Sequence, residues 1–415
     1  MRRIGTVLVV AACLVSAAAT AADKLGEDLV KAAKKGDVAK LRALLQQGAP
    51  VNAQDKDQCT GLVRAAREGH ADAARVLLEA GADPNLVDED HKTPLWEAAR
   101  HDHGDIVTLL LKAKADPNLA SKDGDTPLLQ AIEKNNPRVV SLLVDGKADL
   151  NLANKSGDRP LLLAAGSDDP AMLSSLLRAG ADTKARGRHG VTLLMAVAGG
   201  GHAELIPRLL EQGAKLRDQD DDGETALHHA ASQGRGSAAR ALIDAGSDVN
   251  QESNGGETPL MLAAAGGHQD ALGVLLQAGA NPNVRNTHNK DWTALMYAVE
   301  GGTSGIVDEL ASRGAEVNLE DANGDQPIHL AARGGKTAIV NALLDRGAYV
   351  NEHGGLDHRT PLEIAVERDD RNTAQALLDH HACVTHEARE RAASKKSEKM
   401  VALLEGYSNR DCRNP

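Results

Sequence analysis

The 415-residue sequence predicts an all-α solenoid of paired antiparallel helices with β-hairpin-like turns, in about 12 units including caps. Three observations carry that expectation. One stretch, Gly223 to Asn250, recurs along the chain at a nearly constant interval. Aromatic residues are 1 % of the chain and Phe is absent, whereas a compact globule of this length would use aromatic side chains as core volume. Glycine and asparagine return at fixed places within each copy, as turn punctuation.

Gly223 to Asn250 reads as two short helices and a turn. Thr225 is placed to cap the first helix with its hydroxyl, because the first N–H groups of a helix lack internal partners. Leu227, Ala230 and Ala231 form an apolar stripe whose small members allow close packing. Gly234 ends that helix, Gly246 ends the next, and Ser247 to Asn250 turns the chain back. Such a unit cannot bury its apolar face alone and needs copies on both sides.

Equivalents of Thr225 fall at Thr60, Thr93, Thr126, Arg159, Thr192, Thr258, Thr293, Gln326 and Thr360. Each step is 33 residues, except Thr258 to Thr293 (35) and Gln326 to Thr360 (34). Thr258-Pro259-Leu260, Ala263-Ala264, Gly267-His268, Leu275-Leu276 and Gly279-Ala280 together resemble the ankyrin repeat, and the resemblance covers about residues 26–405. It implies a protein–protein interaction module without an enzymatic activity or a cofactor.

In chain order, residues 1–22 read as a secretory signal peptide: Arg2 and Arg3, an apolar run from Ile4 to Val15, and Ala19-Thr20-Ala21 as a cleavage site. This implies a periplasmic protein with no membrane insertion after cleavage. A rival reading takes Val10-Ala11-Ala12-Cys13 as a lipobox, with Cys13 carrying a lipid anchor; release from the cell is a third. Residues 23–59 form a divergent capping unit rich in lysine, and residues 60–385 the repeats. Residues 386–405 are C-terminal capping helices and 406–415 a tail. Lys114 and Lys147 stand where a helix-ending glycine is expected, so the stack is expected to be weaker there. The loop Asn286 to Trp292 takes the two extra residues of the longest step.

The net charge of −12 lacks the basic footprint of a nucleic-acid binder. No phosphate loop, zinc-protease helix or nucleophile elbow is present. His228-His229 is read as structural, with His228 tying neighbouring units, and no metal site is expected. His380, His381, Cys383 and His386 are ligand types whose spacing fits no strong zinc pattern; an enzyme would have to rest on them. Cys383 and Cys412 are expected to pair in an oxidising compartment, leaving Cys59.

In ankyrin-like stacks the residue before each threonine position faces a concave groove. Here that row runs Cys59, Lys92, Asp125, Asp158, Val191, Glu224, Glu257, Trp292, Asp325 and Arg359. The resemblance implies partner binding by Asp125, Asp158, Glu224, Glu257, Trp292, Asp325 and Arg359. Trp96, in the place of His228, is read as a packing residue. The expected protein is a monomer that binds a protein partner: a periplasmic protein, a toxin it neutralises, a host protein met after secretion, or the envelope as a scaffold.

Overall fold

The computed structural model describes residues 22–167 and 170–407. Twelve helix pairs fill them, in two compact units divided between Arg188 and His189. The first unit opens with a helix over residues 22–34 paired with Val38–Gln46. It continues with Gly61–Glu68 and Ala71–Glu79, Pro94–Arg100 and Gly104–Lys112, Pro127–Glu133 and Pro137–Asp145, and Pro160–Ala165 and Pro170–Arg178. The second runs from Leu193–Gly200 and Ile206–Glu211 through five pairs of the same kind to His386–Ser394 and Glu398–Gly406. Residues 1–21 and 408–415 lie outside the described residues, so the signal sequence, Cys13 and Cys412 do too, and the Cys383–Cys412 pairing is not placed.

Helix starts follow the threonine register. The hydroxyls of Thr60, Thr93, Thr126, Thr192, Thr258 and Thr360 accept the N–H three residues on, at 3.0–3.4 Å. In four of these six units proline fills the first helical position, where a missing N–H costs nothing. Thr225 differs from expectation: its hydroxyl meets His228 Nδ1 at 2.9 Å, so the imidazole takes over part of the cap. Arg159 makes no cap; its guanidinium reaches the carbonyls of Asn151 and Arg186 instead.

The core of each layer is thin. Leu, Ala and Val at helical spacing are fully buried, as at Leu227, Ala230, Ala231, Ala238, Ala239 and Leu242. Among the described residues no strand forms; three isolated antiparallel bridges, Gln54 to Thr60, Asn286 to Trp292 and Gly354 to Arg359, close the hairpin-like turns.

Two side-chain ladders join successive layers. In the first, an asparagine Oδ1 accepts the N–H of a residue one layer on. Asn52 takes Asp83, Asn85 takes Asp116, Asn118 takes Asp149 and Asn151 takes Asp182, at 2.8–2.9 Å. In the second compact unit Asn250, Asn283, Asn318 and Asn351 do the same. Lys184 and Arg217 occupy the asparagine place between these runs. In the second ladder, the residue preceding the second helix donates, in six layers, to a carbonyl at the end of the previous layer's first helix. His70, His103 and His268 do so through Nε2, Asn136 through its amide, and Arg235 and Lys336 through their cations. These carbonyls lie at helix ends, where the internal ladder runs out; that of Val299 also takes the Gly302 N–H.

Lys114 and Lys147 are left-handed, at φ 63° and 65°, as their glycine-like places require. The strain is not confined to them, because eleven other non-glycine residues across both units share it. The helix-ending glycines explain why lysine is admitted: a Cβ on Gly246 meets nothing within 4 Å, so only φ argues for glycine there. Gly234 is different, since a Cβ would stand 2.7 Å from His268 Nδ1.

Two outcomes follow. Gly246→Ala is expected to cost about 1 kcal/mol through backbone strain alone, and Gly234→Ala about 1 kcal/mol more, because it also displaces the His268 ring from the Ser232 carbonyl. Arg217→Asn restores an acceptor for the N–H of Asp248 and is expected to stabilise the second compact unit by about 0.5–1 kcal/mol. Urea unfolding of each variant beside the wild-type chain measures both; equal losses for the two glycines would contradict the first.

Candidate functional site

The row before the threonine positions is largely tied down from within. In the first compact unit the Asn154 amide bridges two of its members, reaching Asp125 Oδ1 at 2.9 Å and Asp158 Oδ2 at 3.1 Å. In the second, Glu257 Oε2 accepts from the Ser253 hydroxyl at 2.6 Å. Asp325 is buried, 4 % exposed, and its two oxygens take both terminal nitrogens of Arg333 at 2.6 and 3.0 Å. Arg359 lies 3.0 Å from Asp357. Cys59, at the start of the row, is also buried; its thiol points at Asp88, and burial pushes its pKa up to about 11, which keeps it unreactive at neutral pH.

Trp292 is half-buried. Its indole N–H donates to Asp321 Oδ2 at 3.2 Å, and its ring meets Tyr297 edge-on at 5.5 Å. Tyr297 organises the longer loop, because its hydroxyl receives the amides of both Asn286 and Asn289 at 2.9 Å. The loop is therefore a built element. Sequence reasoning missed Tyr297, and its signal was its place four residues after Thr293, on the face of the helix turned to the loop.

That place recurs. Four residues after Thr60 stands Arg64, whose guanidinium holds Asp55 and Asp57 at 2.6–2.8 Å. Burial works against the Arg64 cation, but the hydrogen bonds of these two carboxylates outweigh it and raise its pKa. A cleft of about 680 Å³ opens beside this group, lined by Glu27, Lys31, Lys34 and Lys56 among others. Four residues after Thr225 stands His229, with Nε2 2.8 Å from Asp220 Oδ2 and 3.8 Å from Glu224 Oε2. Burial pushes the Glu224 carboxyl above its usual range; His229 pulls it back, and the charges of Asp220, Asp222 and Glu257 add to the rise.

His228 points the other way. Its Nδ1 accepts the Thr225 N–H at 3.1 Å, so Nε2 carries the proton and donates to the Glu257 carbonyl of the next layer at 3.1 Å. His329 repeats the arrangement with Gln326 and Glu352. The expectation that His228 ties neighbouring layers holds in this geometry. Trp96, in the equivalent place, is 2 % exposed, with Lys92 and Arg100 over its ring, and its Nε1 has no partner among the described residues.

A family model for ankyrin repeats (3 copies) matches residues 29–121, 113–187, 161–253, 193–286, 237–321 and 295–388. The chain belongs to the ankyrin-repeat family. Members of that family are typically non-enzymatic and mediate protein binding. A search of curated proteins finds no match to the chain. The ankyrin register accounts for the threonine caps, the two ladders and the row of turn residues described above.

The buried imidazole makes a pH prediction. His228 stays neutral in the folded chain down to about pH 4, chiefly because burial disfavours its cation. In the unfolded chain it protonates near 6.5, so between these values the unfolded state holds the extra proton. Stability from this group is complete above pH 6.5 and falls as the pH drops toward 4, by up to ~1.4 kcal/mol per pH unit. His228→Gln is expected to flatten the stability profile over that window by about one proton, read from urea unfolding at stepped pH.

Proposed function

We propose that this ankyrin-repeat protein is exported to the bacterial periplasm and binds a protein partner through the turns and first helices of its compact units. The observation that supports the binding face most is its internal bracing. Asp125, Asp158, Glu257 and Trp292 are held by Asn154, Ser253, Asp321 and Tyr297 before any partner arrives. A braced side chain loses little rotamer freedom on binding, which leaves more of the contact energy as affinity. The face also carries an apolar side chain held in water: Leu356, in the turn before Thr360, is 84 % exposed. With Trp292 it offers the kind of anchor that dominates interface energies, amid acids suited to a basic rim on the partner. Asp325 contributes as a brace for Arg333 rather than as a contact.

Export rests on Arg2, Arg3, the apolar run from Ile4 to Val15 and Ala19-Thr20-Ala21. A lipid on Cys13 is the alternative fate of the same segment. A toxin, a host protein and an envelope component remain in the partner class.

Capture from periplasmic extract tests the binding face. The bait is the chain without residues 1–22, beside a Trp292→Ala, Glu257→Lys, Leu356→Asp version. A protein retained by the first and lost by the second is the expected result; equal retention moves the site to another face. Fusion of residues 1–22 to a phosphatase active only outside the cytoplasm tests export, and an inactive fusion overturns it.

A further inference from the structure

The fold brings Asp220, Glu224 and His229 to one point. Asp220 and Glu224 lie in the turn, and His229 is on the helix that follows it. One ligand atom from each lies within 4.8 Å of the others. The Asp220 side chain is 4 % exposed, while those of Glu224 and His229 are 26 % and 23 % exposed, so the group is partly buried and reached by solvent through the latter two.

We propose that these three residues bind a divalent transition-metal ion of the zinc class. The donor set is one imidazole nitrogen and two carboxylates, a combination such ions accept while keeping a further position for water. Donor atoms around a four-coordinate zinc stand about 3.3 Å apart, given bonds of about 2.0–2.1 Å. The 2.8 and 3.8 Å from the imidazole nitrogen straddle that spacing, and the two carboxylate oxygens lie within 4.8 Å of each other, so the three donors close to ligand spacing by side-chain movement alone.

Asp220 is oriented from behind. Its Oδ1 accepts the N–H of Asp222 at 3.1 Å and of Glu224 at 2.9 Å, leaving Oδ2 aimed at the imidazole. Such backing fixes the direction of a ligating carboxylate.

Comparison with other turns of the same chain supplies the second argument. Around Asp55 and Asp57 the counter-charge is Arg64, and at Asp325 it is Arg333; both guanidiniums are permanently charged. At Asp220 and Glu224 the facing group is an imidazole ring. Asp222 and Glu257 add further negative charge nearby. An imidazole nitrogen can ligate a metal ion where a guanidinium cannot, so of these three turns this one alone sets a third donor atom beside its carboxylates.

The rival account is a bare hydrogen-bonded tie, and it makes the opposite prediction for zinc. The full chain without its first 22 residues, stripped with chelator, is titrated calorimetrically with zinc chloride, with millimolar magnesium as competitor. His229→Arg places in this turn the residue that already stands over Asp55 and Asp57, so that variant is expected to fold; circular dichroism and the urea midpoint check it. The wild-type chain is expected to take up one more equivalent of zinc than His229→Arg, without displacement by magnesium. Glu224→Gln is expected to weaken that equivalent tenfold or more. Equal zinc stoichiometry and affinity in wild-type and His229→Arg chains would overturn the site, and so would the absence of saturable binding to the wild type. Zinc held by His380 and His381 is common to all three chains and cancels in the comparison. The capture experiment uses neither variant, so the two outcomes are independent.

Discussion

Everything in each compact unit depends on satisfying backbone groups that a short helix leaves open. A helix of seven to nine residues leaves more N–H and carbonyl groups open at its ends than it makes internal hydrogen bonds. The chain meets this debt from the neighbouring layer. Asparagine side chains supply acceptors for turn N–H groups, and histidine, lysine and arginine supply donors for helix-end carbonyls. The apolar stripe of leucine and alanine sets the distance between layers; the ladders set their register. A layer removed from its neighbours loses both at once, which is why the unit stands only as an array.

Turn residues therefore have two duties. Arg64, His229 and Tyr297 occupy the same place in three layers and do the same mechanical work, holding a turn to the helix after it, with three different chemistries. The mechanical duty is common and the chemistry is free to vary. It is this freedom that lets a uniform scaffold carry a particular surface, and at Asp220 it leaves an electrostatic arrangement unlike that of its sister turns.

The sequence made visible whatever rests on short spacing or on strict recurrence. Threonine caps were legible because the hydroxyl and the N–H it serves are three residues apart. The layers were legible because Gly, Asn and Thr recur in step over most of the chain. Bonds that span a layer were not. His268 stood out as a recurring residue, yet its acceptor, the Ser232 carbonyl, lies 36 positions back and nothing local names it. Asp325 read as a turn-tip acid because it stands just before Gln326 in the register; Arg333, eight residues on and two helical turns up, draws it inward. The Asp220–His229 pairing escaped for a similar reason, since adjacent histidines invite a joint reading while the fold sends His228 to the next layer and His229 back to its own turn.

The helix-ending positions have a practical corollary. A side chain at Gly48, Gly81 or Gly279 would extend into open space, and Lys114 and Lys147 already stand at equivalent places. Two amines thus project from spots that the packing leaves vacant by construction. A dye, a tether or a crosslinker coupled there adds mass without entering the stack, and the molecule carries its own handles for being held and watched.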